Sequence, residues 1–330
     1  LNIAIHSGAF SWSEKSGVFH LAWNVFQTNK SMNKPKIYLI GSFHDFRDKI
    51  INALPDYDFS DPRKFKQSCV LNTVSEDVKE AKECPVSLAV FPKGKSRGTM
   101  SYAELGISAV YENHIIIVDE DENADPLLKQ IARNYFTNLD DAIGFLKTKP
   151  SFSLNSKKEM VSKYPANSDY KIIPCNTVYV CGTIDEELME AVERADKRGA
   201  EKRVIFNSDT YQDFQNILSY DLIVANFPAK PDMDWDRHAC FMMGAAYPHD
   251  ISVLLIDPHE WKYPPLQGLV RRHATTMNNL EDYLVYVKDL HINNEAVVMY
   301  NLFKDEQKRI KENDEEKKRK ENENSGTDIF

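Results

Sequence analysis

The chain has 330 residues, 42% hydrophobic and 11% aromatic, with a formal net charge of −9. That length suits two ordinary domains of about 100–200 residues each, and the apolar content is enough for buried cores. The acidic balance counts against a broad basic nucleic-acid surface, and no run of about 18 apolar residues is present to span a membrane.

Residues 1–31 begin with leucine and lack the charged start and apolar core of a secretory signal. They stop just before Met32-Asn33-Lys34-Pro35-Lys36, which reads as an ordinary opening. The segment is either an extension foreign to the native product or an ordered arm using Trp12, Phe19, Trp23 and Phe26. From Lys36 the pattern predicts a strand (IYLIGS), a helix over Phe46–Leu54, an extended piece at Tyr57–Ser60 and a helix over Ser75–Glu83. A strand at Val86–Phe91, a helix from Met100 to Tyr111, a strand at Ile115–Asp119 and a closing helix at Leu139–Leu146 follow. Almost wholly apolar strands separated by helices imply a parallel sheet covered on both faces.

Lys147–Pro174 carries three prolines and no sustained apolar period, and reads as a linker with one short helix. Beyond it the first half recurs. Ile37–Ser42 is matched by Val178–Thr183, Phe91-Pro92 by Phe227-Pro228, Gly106 and Asp119 by Gly244 and Asp257, and Asn138-Leu139 by Asn279-Leu280. The shared period near 140 residues is too long for a solenoid and marks two copies of one α/β domain. The expected organisation is an extension (1–31), a first domain (32–147), a linker (148–174), a second domain (175–290) and a charged tail, helical then disordered (291–330). The tail ends in Ile329-Phe330, an apolar pair on a solvated tether that is either an ordinary end or a docking peptide of the kind that holds a sliding clamp.

Five cysteines, Cys69, Cys84, Cys175, Cys181 and Cys240, show no CxxC pair. They read as buried free thiols in a reducing, cytoplasmic compartment. His44, His114, His238, His249, His259 and His273 show no metal-ligand spacing. The absence of GxGxxG after a strand and of GxxxxGK[ST] leaves dinucleotide and P-loop binding unsupported, and no cofactor is implied.

The stretch that organises the chain is Val86–Asp119, where Glu104 is expected in the first turn of a helix fed by the carboxyl end of a strand, the usual place for chemistry in an open α/β sheet. Three features in order carry a resemblance: Tyr38 in KIYLIGS, Asp77 in D-x(7)-P-V-S-L-A-V-F, and Glu104 in SYAELG. Together they make residues Lys36–Leu146, and by repetition Thr177–Val287, similar to the nucleoside 2-deoxyribosyltransferase family. The resemblance implies two flavodoxin-like, doubly wound parallel-sheet domains in tandem, packed as a pseudo-dimer. It also implies double displacement on a nucleoside or nucleotide, with Glu104 attacking the anomeric carbon, Asp77 serving the departing base, and Tyr38, expected at the end of the first strand, positioning the nucleophile. The chemistry itself calls for two carboxyl groups in different environments, one to meet positive charge at the sugar and one to protonate the base.

Where the family often carries an aspartate six residues before the nucleophile, this chain has Gly98. Arg97, with Lys93, Lys95, Thr99 and Ser101, is therefore expected either to receive a phosphate or to form a solvated loop. Gly41, Ser42, Arg47 and Arg63 complete the expected substrate-binding set near strand ends. The second copy keeps Tyr179, Asp213 and Asp236 but has Met242 in the nucleophile's place, so it should be chemically dead while retaining a nucleoside-like pocket. It is expected either to complete a composite site, as neighbouring subunits do in that family, or to be purely structural; homo-oligomers remain open. Three functions follow: glycosyl transfer or N-glycoside hydrolysis through Glu104, a phage-type transfer of a nucleotide-linked sugar to DNA, and a nucleotide sensor without turnover. Base, sugar and acceptor are not legible in the residues.

Overall fold

A computed structural model describes residues 34–41, 46–65, 70–95, 97–121, 123–152, 163, 172–227, 237–257, 268–270, 272–274, 276–287 and 289–291. The expectations placed on residues 1–31, on most of the linker and on the tail beyond His291 lie outside them, as do Ser42, Cys69 and Asp236.

The first half runs β1 (Lys36–Ile40), α1 (Phe46–Ala53), β2 (Asp58–Ser60), α2 (Val70–Glu83), β3 (Val86–Phe91), α3 (Thr99–Val110), β4 (His114–Asp119), α4 (Pro126–Ile131), β5 (Asn134–Phe136) and α5 (Leu139–Lys147). Its five strands pair in parallel in the order β2-β1-β3-β4-β5. Alternation across the pleat sorts the apolar strands into two faces. Ile37, Leu39, Leu88 and Val118 meet Ile50 of α1 and Ile143 of α5. Tyr38, Ile40, Ala89 and Ile117 belong to the opposite face, with Val74 and Ala81 of α2 and Leu105 of α3.

The second half repeats the plan with β7 (Thr177–Gly182), α6 (Glu186–Lys197), β8 (Arg203–Phe206), α7 (Thr210–Gln215), β9 (Leu222–Asn226), α8 (Arg237–Ala246), β10 (Ser252–Ile256), β11 (Arg272–Ala274) and α9 (Met277–Tyr286). Its sheet, also all parallel, has the order β8-β7-β9-β10-β11, which is the order of the first half. Two short strands, β6 (Ile172–Pro174) and β12 (Asp289–His291), pair antiparallel and tie the segment before this sheet to the segment after it. The chain is therefore α/β with two parallel sheets.

One apolar cluster runs through both halves, joining Tyr38, Ala103 and Leu105 to Tyr179, Phe241 and Met242. At its centre α3 and α8 cross with almost no space between their backbones. A Cβ on Gly106 would stand 2.1 Å from the Phe241 carbonyl oxygen, and one on Gly244 would stand 2.0 Å from that of Ala103. The contacts are reciprocal under the repeat, because Gly244 matches Gly106 and Phe241 matches Ala103.

Several expectations change. Glu104 stands in the second turn of α3, because Gly98 caps the helix and Thr99 opens it. Tyr38 is the central residue of β1 and not its end. The helix carrying Asp77 starts earlier than expected, at Val70. Elements α4 and β5 were not anticipated, since six- and three-residue elements show no period. Asn279 lies inside α9, which is capped by Thr276, whereas Asn138 caps α5, so that matched pair is not equivalent in structure. Cys84, Cys175, Cys181 and Cys240 are buried, as expected, and form no disulfide among the described residues. Among the described residues no helix is long and apolar enough to cross a membrane.

Candidate active site

Three elements deliver the three residues. The pleat of β1 turns Tyr38 away from Ile37 and Leu39, towards α2 and α3. Helix α2 buries Val74, Asp77 and Ala81 at helical spacing, with a second buried carboxyl, Glu80, one turn on that is held by Lys36. Helix α3 is buried continuously from Ser101 to Ser108, which takes Glu104 inside with it. The Tyr38 hydroxyl then lies 2.9 Å from Asp77 Oδ1 and 3.0 Å from Glu104 Oε1. Fractional exposures are 0% for Tyr38, 3% for Asp77 and 7% for Glu104.

A phenol carries one hydrogen and can donate to one carboxylate at a time. With two carboxyl oxygens at bonding distance, the arrangement is satisfied when one carboxyl is protonated and donates to the phenol oxygen while the phenol donates to the other. Electrostatics points the same way. Burial pushes Asp77 up to about 7, against the Tyr38 hydrogen bond and the Arg47 charge. Burial and the negative charge of Asp77 push Glu104 well above the usual carboxylate range, with Arg47 and Tyr38 opposing. Both shifts favour retention of a proton on the carboxyl pair near neutral pH.

Arg47, 1% exposed, supplies the positive charge felt by both carboxyls. It donates to Leu39 O (3.0 Å), to Asp61 Oδ1 (3.1 Å) and to Gly41 O. Gly41 has φ +125, and a Cβ there would stand 2.6 Å from Val90 O, so only glycine fits this turn against β3.

The expected anion receptor needs correction. The Arg97 guanidinium sits on Asp119 (2.7 and 2.9 Å) and the Asn123 carbonyl, with its side chain only 6% exposed. Arg63 is held by Asp61 and Asp48, each at 2.7 Å. Each arginine answers a carboxylate that its own fold brings close, a pairing across 22 residues for Arg97 that local composition does not reveal. Gly98, Thr99 and Ser101 stand at the amino end of α3, a turn before Glu104.

The second half repeats the tyrosine–aspartate pair. The Tyr179 hydroxyl donates to Asp213 Oδ2 at 3.0 Å, and Ser208 N approaches the same oxygen at 3.3 Å. Met242 is fully buried in the third position. With one carboxyl instead of two, the tyrosine has a single carboxyl partner.

Sequence reasoning missed Asp125. It caps α4 with Pro126 behind it, a pattern legible as a helix start. Its partners were not legible: Tyr102 Oη at 2.6 Å, from α3, and His238 Nε2 at 3.1 Å, from α8. Burial works to raise its pKa, yet the hydrogen bonds from His238 and Tyr102 hold the Asp125 carboxyl down at about 2. The other His238 nitrogen meets Thr210 Oγ1 at 2.9 Å. His238 therefore lies on a polar chain that joins the two halves beside the Met242 position.

No protein-family model matches this chain, and no curated protein matches it.

Proposed function

We propose that the chain is a glycosyl-transfer enzyme of the kind it resembles, acting on the N-glycosidic bond of a nucleoside by double displacement through Glu104. The observation that carries this reading is the Tyr38 hydroxyl within hydrogen-bond distance of two buried carboxyls, Asp77 and Glu104. The two hydrogen bonds bound the separation of the bridged oxygens at about 6 Å, a bound that accommodates the ~5–5.5 Å typical of two-step displacement at an anomeric carbon.

In the first step a proton passes from Glu104 to Tyr38 as the Tyr38 proton passes to Asp77. Glu104 is left ionised and Asp77 neutral. The Glu104 oxygen bonds to the anomeric carbon, the carbon–nitrogen bond breaks with its electron pair going to the base, and Asp77 gives the base its proton. In the second step an acceptor, water or another base, attacks the same carbon, the ester bond to Glu104 breaks, and Asp77 recovers a proton from the acceptor. The engagement of Arg47, Arg63 and Arg97 with their own carboxylates favours a nucleoside over a nucleotide as donor.

The two halves act as a built-in pseudo-dimer in this reading. Support comes from the reciprocal Gly106 and Gly244 contacts, the pattern of an isologous interface. Gly268 also approaches Val74, one turn from Asp77, so the second half closes on the helix that carries the acid.

The test is intact-mass analysis of the purified protein mixed with a panel of nucleosides, nucleoside monophosphates and nucleotide sugars, beside Glu104→Gln. The expected result is a pentosyl mass on Glu104 with released base, both absent in the variant. Base release that Glu104→Gln leaves undiminished would overturn the assignment.

A further inference from the structure

A cavity of about 310 Å³ lies at the carboxyl end of β8, and neither Glu104 nor Met242 is among its described lining residues. Its walls come from both halves. The second half contributes the loop after β8, with Asn207 and Ser208, and then Thr210 and His238, while the first half contributes Leu127 and Gln130 of α4. His238 is tied at both ring nitrogens, to Thr210 and to Asp125, so the wall is organised before any ligand arrives. The volume is at the small end of the about 300–1,000 Å³ usual for small-molecule sites.

The chemistry of the walls narrows the ligand further. Ser208, Gln130 and the Asn207 amide give the lining donors and acceptors together, as the edge of a heterocyclic base or a sugar hydroxyl requires, while the Thr210 hydroxyl is taken up by His238 and Asn207. Asp209 lines the cavity, and none of the described lining residues is lysine or arginine. A phosphate would therefore meet a carboxylate with no fixed cation opposite. Moreover, where the first half has buried Arg47 the repeat places Leu188, an apolar core residue.

We infer that this cavity is a second, non-catalytic site that binds an unphosphorylated base or nucleoside between α4 of the first half and the loop after β8 of the second. The choice of a nucleoside rests on the function proposed above for the first half. The existence of the site rests on the cavity and its walls.

The experiment is equilibrium dialysis of the full-length Glu104→Gln chain with the four deoxynucleosides and their free bases, with the matching monophosphates in parallel. The expected result is two equivalents of one deoxynucleoside or base per chain. Gln130→Trp and Ser208→Tyr, which fill the cavity from its two sides, should each remove one equivalent while far-ultraviolet dichroism stays that of the parent. At the removable site the monophosphate should bind at least tenfold more weakly. A stoichiometry that neither filling variant changes overturns the site, and so does equal affinity for the monophosphate. If the wild type releases base but shows no removable equivalent, the site fails and the catalytic reading stands. If it releases no base from any substrate yet keeps the removable equivalent, the catalytic reading fails and the site stands.

Discussion

Tyr38 holds the proton arithmetic of the site, so its hydroxyl is the most informative atom to delete. Because its hydrogen bond lowers the pKa of both Asp77 and Glu104, Tyr38→Phe should move the acidic limb of the kcat–pH profile to higher pH. It should also lower kcat on the order of 10²-fold, the lower end for loss of an acid–base partner, and steady-state rates from pH 5 to 9 would read both effects. An unmoved limb would place the tyrosine outside the proton pathway. Asp77→Asn separates stability from chemistry. Burial puts the folded-state value at about 7, above the ordinary aspartate value of 3.8, so the native state binds the proton more tightly and stability falls as pH rises between the two. The asparagine variant should therefore be the more stable protein above pH 7, by on the order of 2 kcal/mol in urea unfolding, with no advantage below pH 4. Its base release should nonetheless be severely reduced. Tyr38, Asp77 and Glu104 were each legible as candidates, since all three stood in recognisable local contexts. Their shared proton was not legible, because it depends on two distances set by three separate elements.

Helices α3 and α8 test what the glycines do. Gly244→Ala places a methyl about where the Ala103 carbonyl oxygen already is, so the helices must separate or shift. A loss of roughly 1–3 kcal/mol in thermal or urea unfolding is expected, with reduced activity because α3 carries Glu104. Gly144→Ala is the control: it sits in α5 with nothing within 4 Å of the added carbon, and should be neutral or stabilising by about 0.5–1 kcal/mol. Equal effects of the two substitutions would remove the close crossing from the account. The long apolar strands and periodic helices announced themselves in the sequence through burial on both faces. Short α4 and β5 did not, because their six and three residues offer less than two turns of helix or a single pleat.

At the scale of the molecule, Asp125 and His238, 113 residues apart in the chain, link the two halves. Because the Asp125 pKa is held at about 2, below its unfolded value, its ionised form contributes stability that is complete above about pH 4 and is lost as pH falls towards 2. Asp125→Asn should be the less stable protein at pH 7, and the difference should vanish near pH 2 in urea melts. A double-mutant cycle with His238→Ala should return a coupling of roughly 0.5–3 kcal/mol, as for side chains in one network; additivity would mean that the two do not cooperate across the halves.

By itself the sequence determined the α/β class, the duplication with its period near 140 residues, and the presence of Met242 where the first copy has Glu104, because strand burial, element order and residue identity are all written locally. Only the tertiary structure decided that Arg97 turns to Asp119, that Asp61 receives two arginines, and that Asp125 meets His238. Those outcomes depend on which charges the packed sheets bring within about 3 Å, and a charge left unmatched in a low-dielectric interior is costly enough to commit every nearby partner.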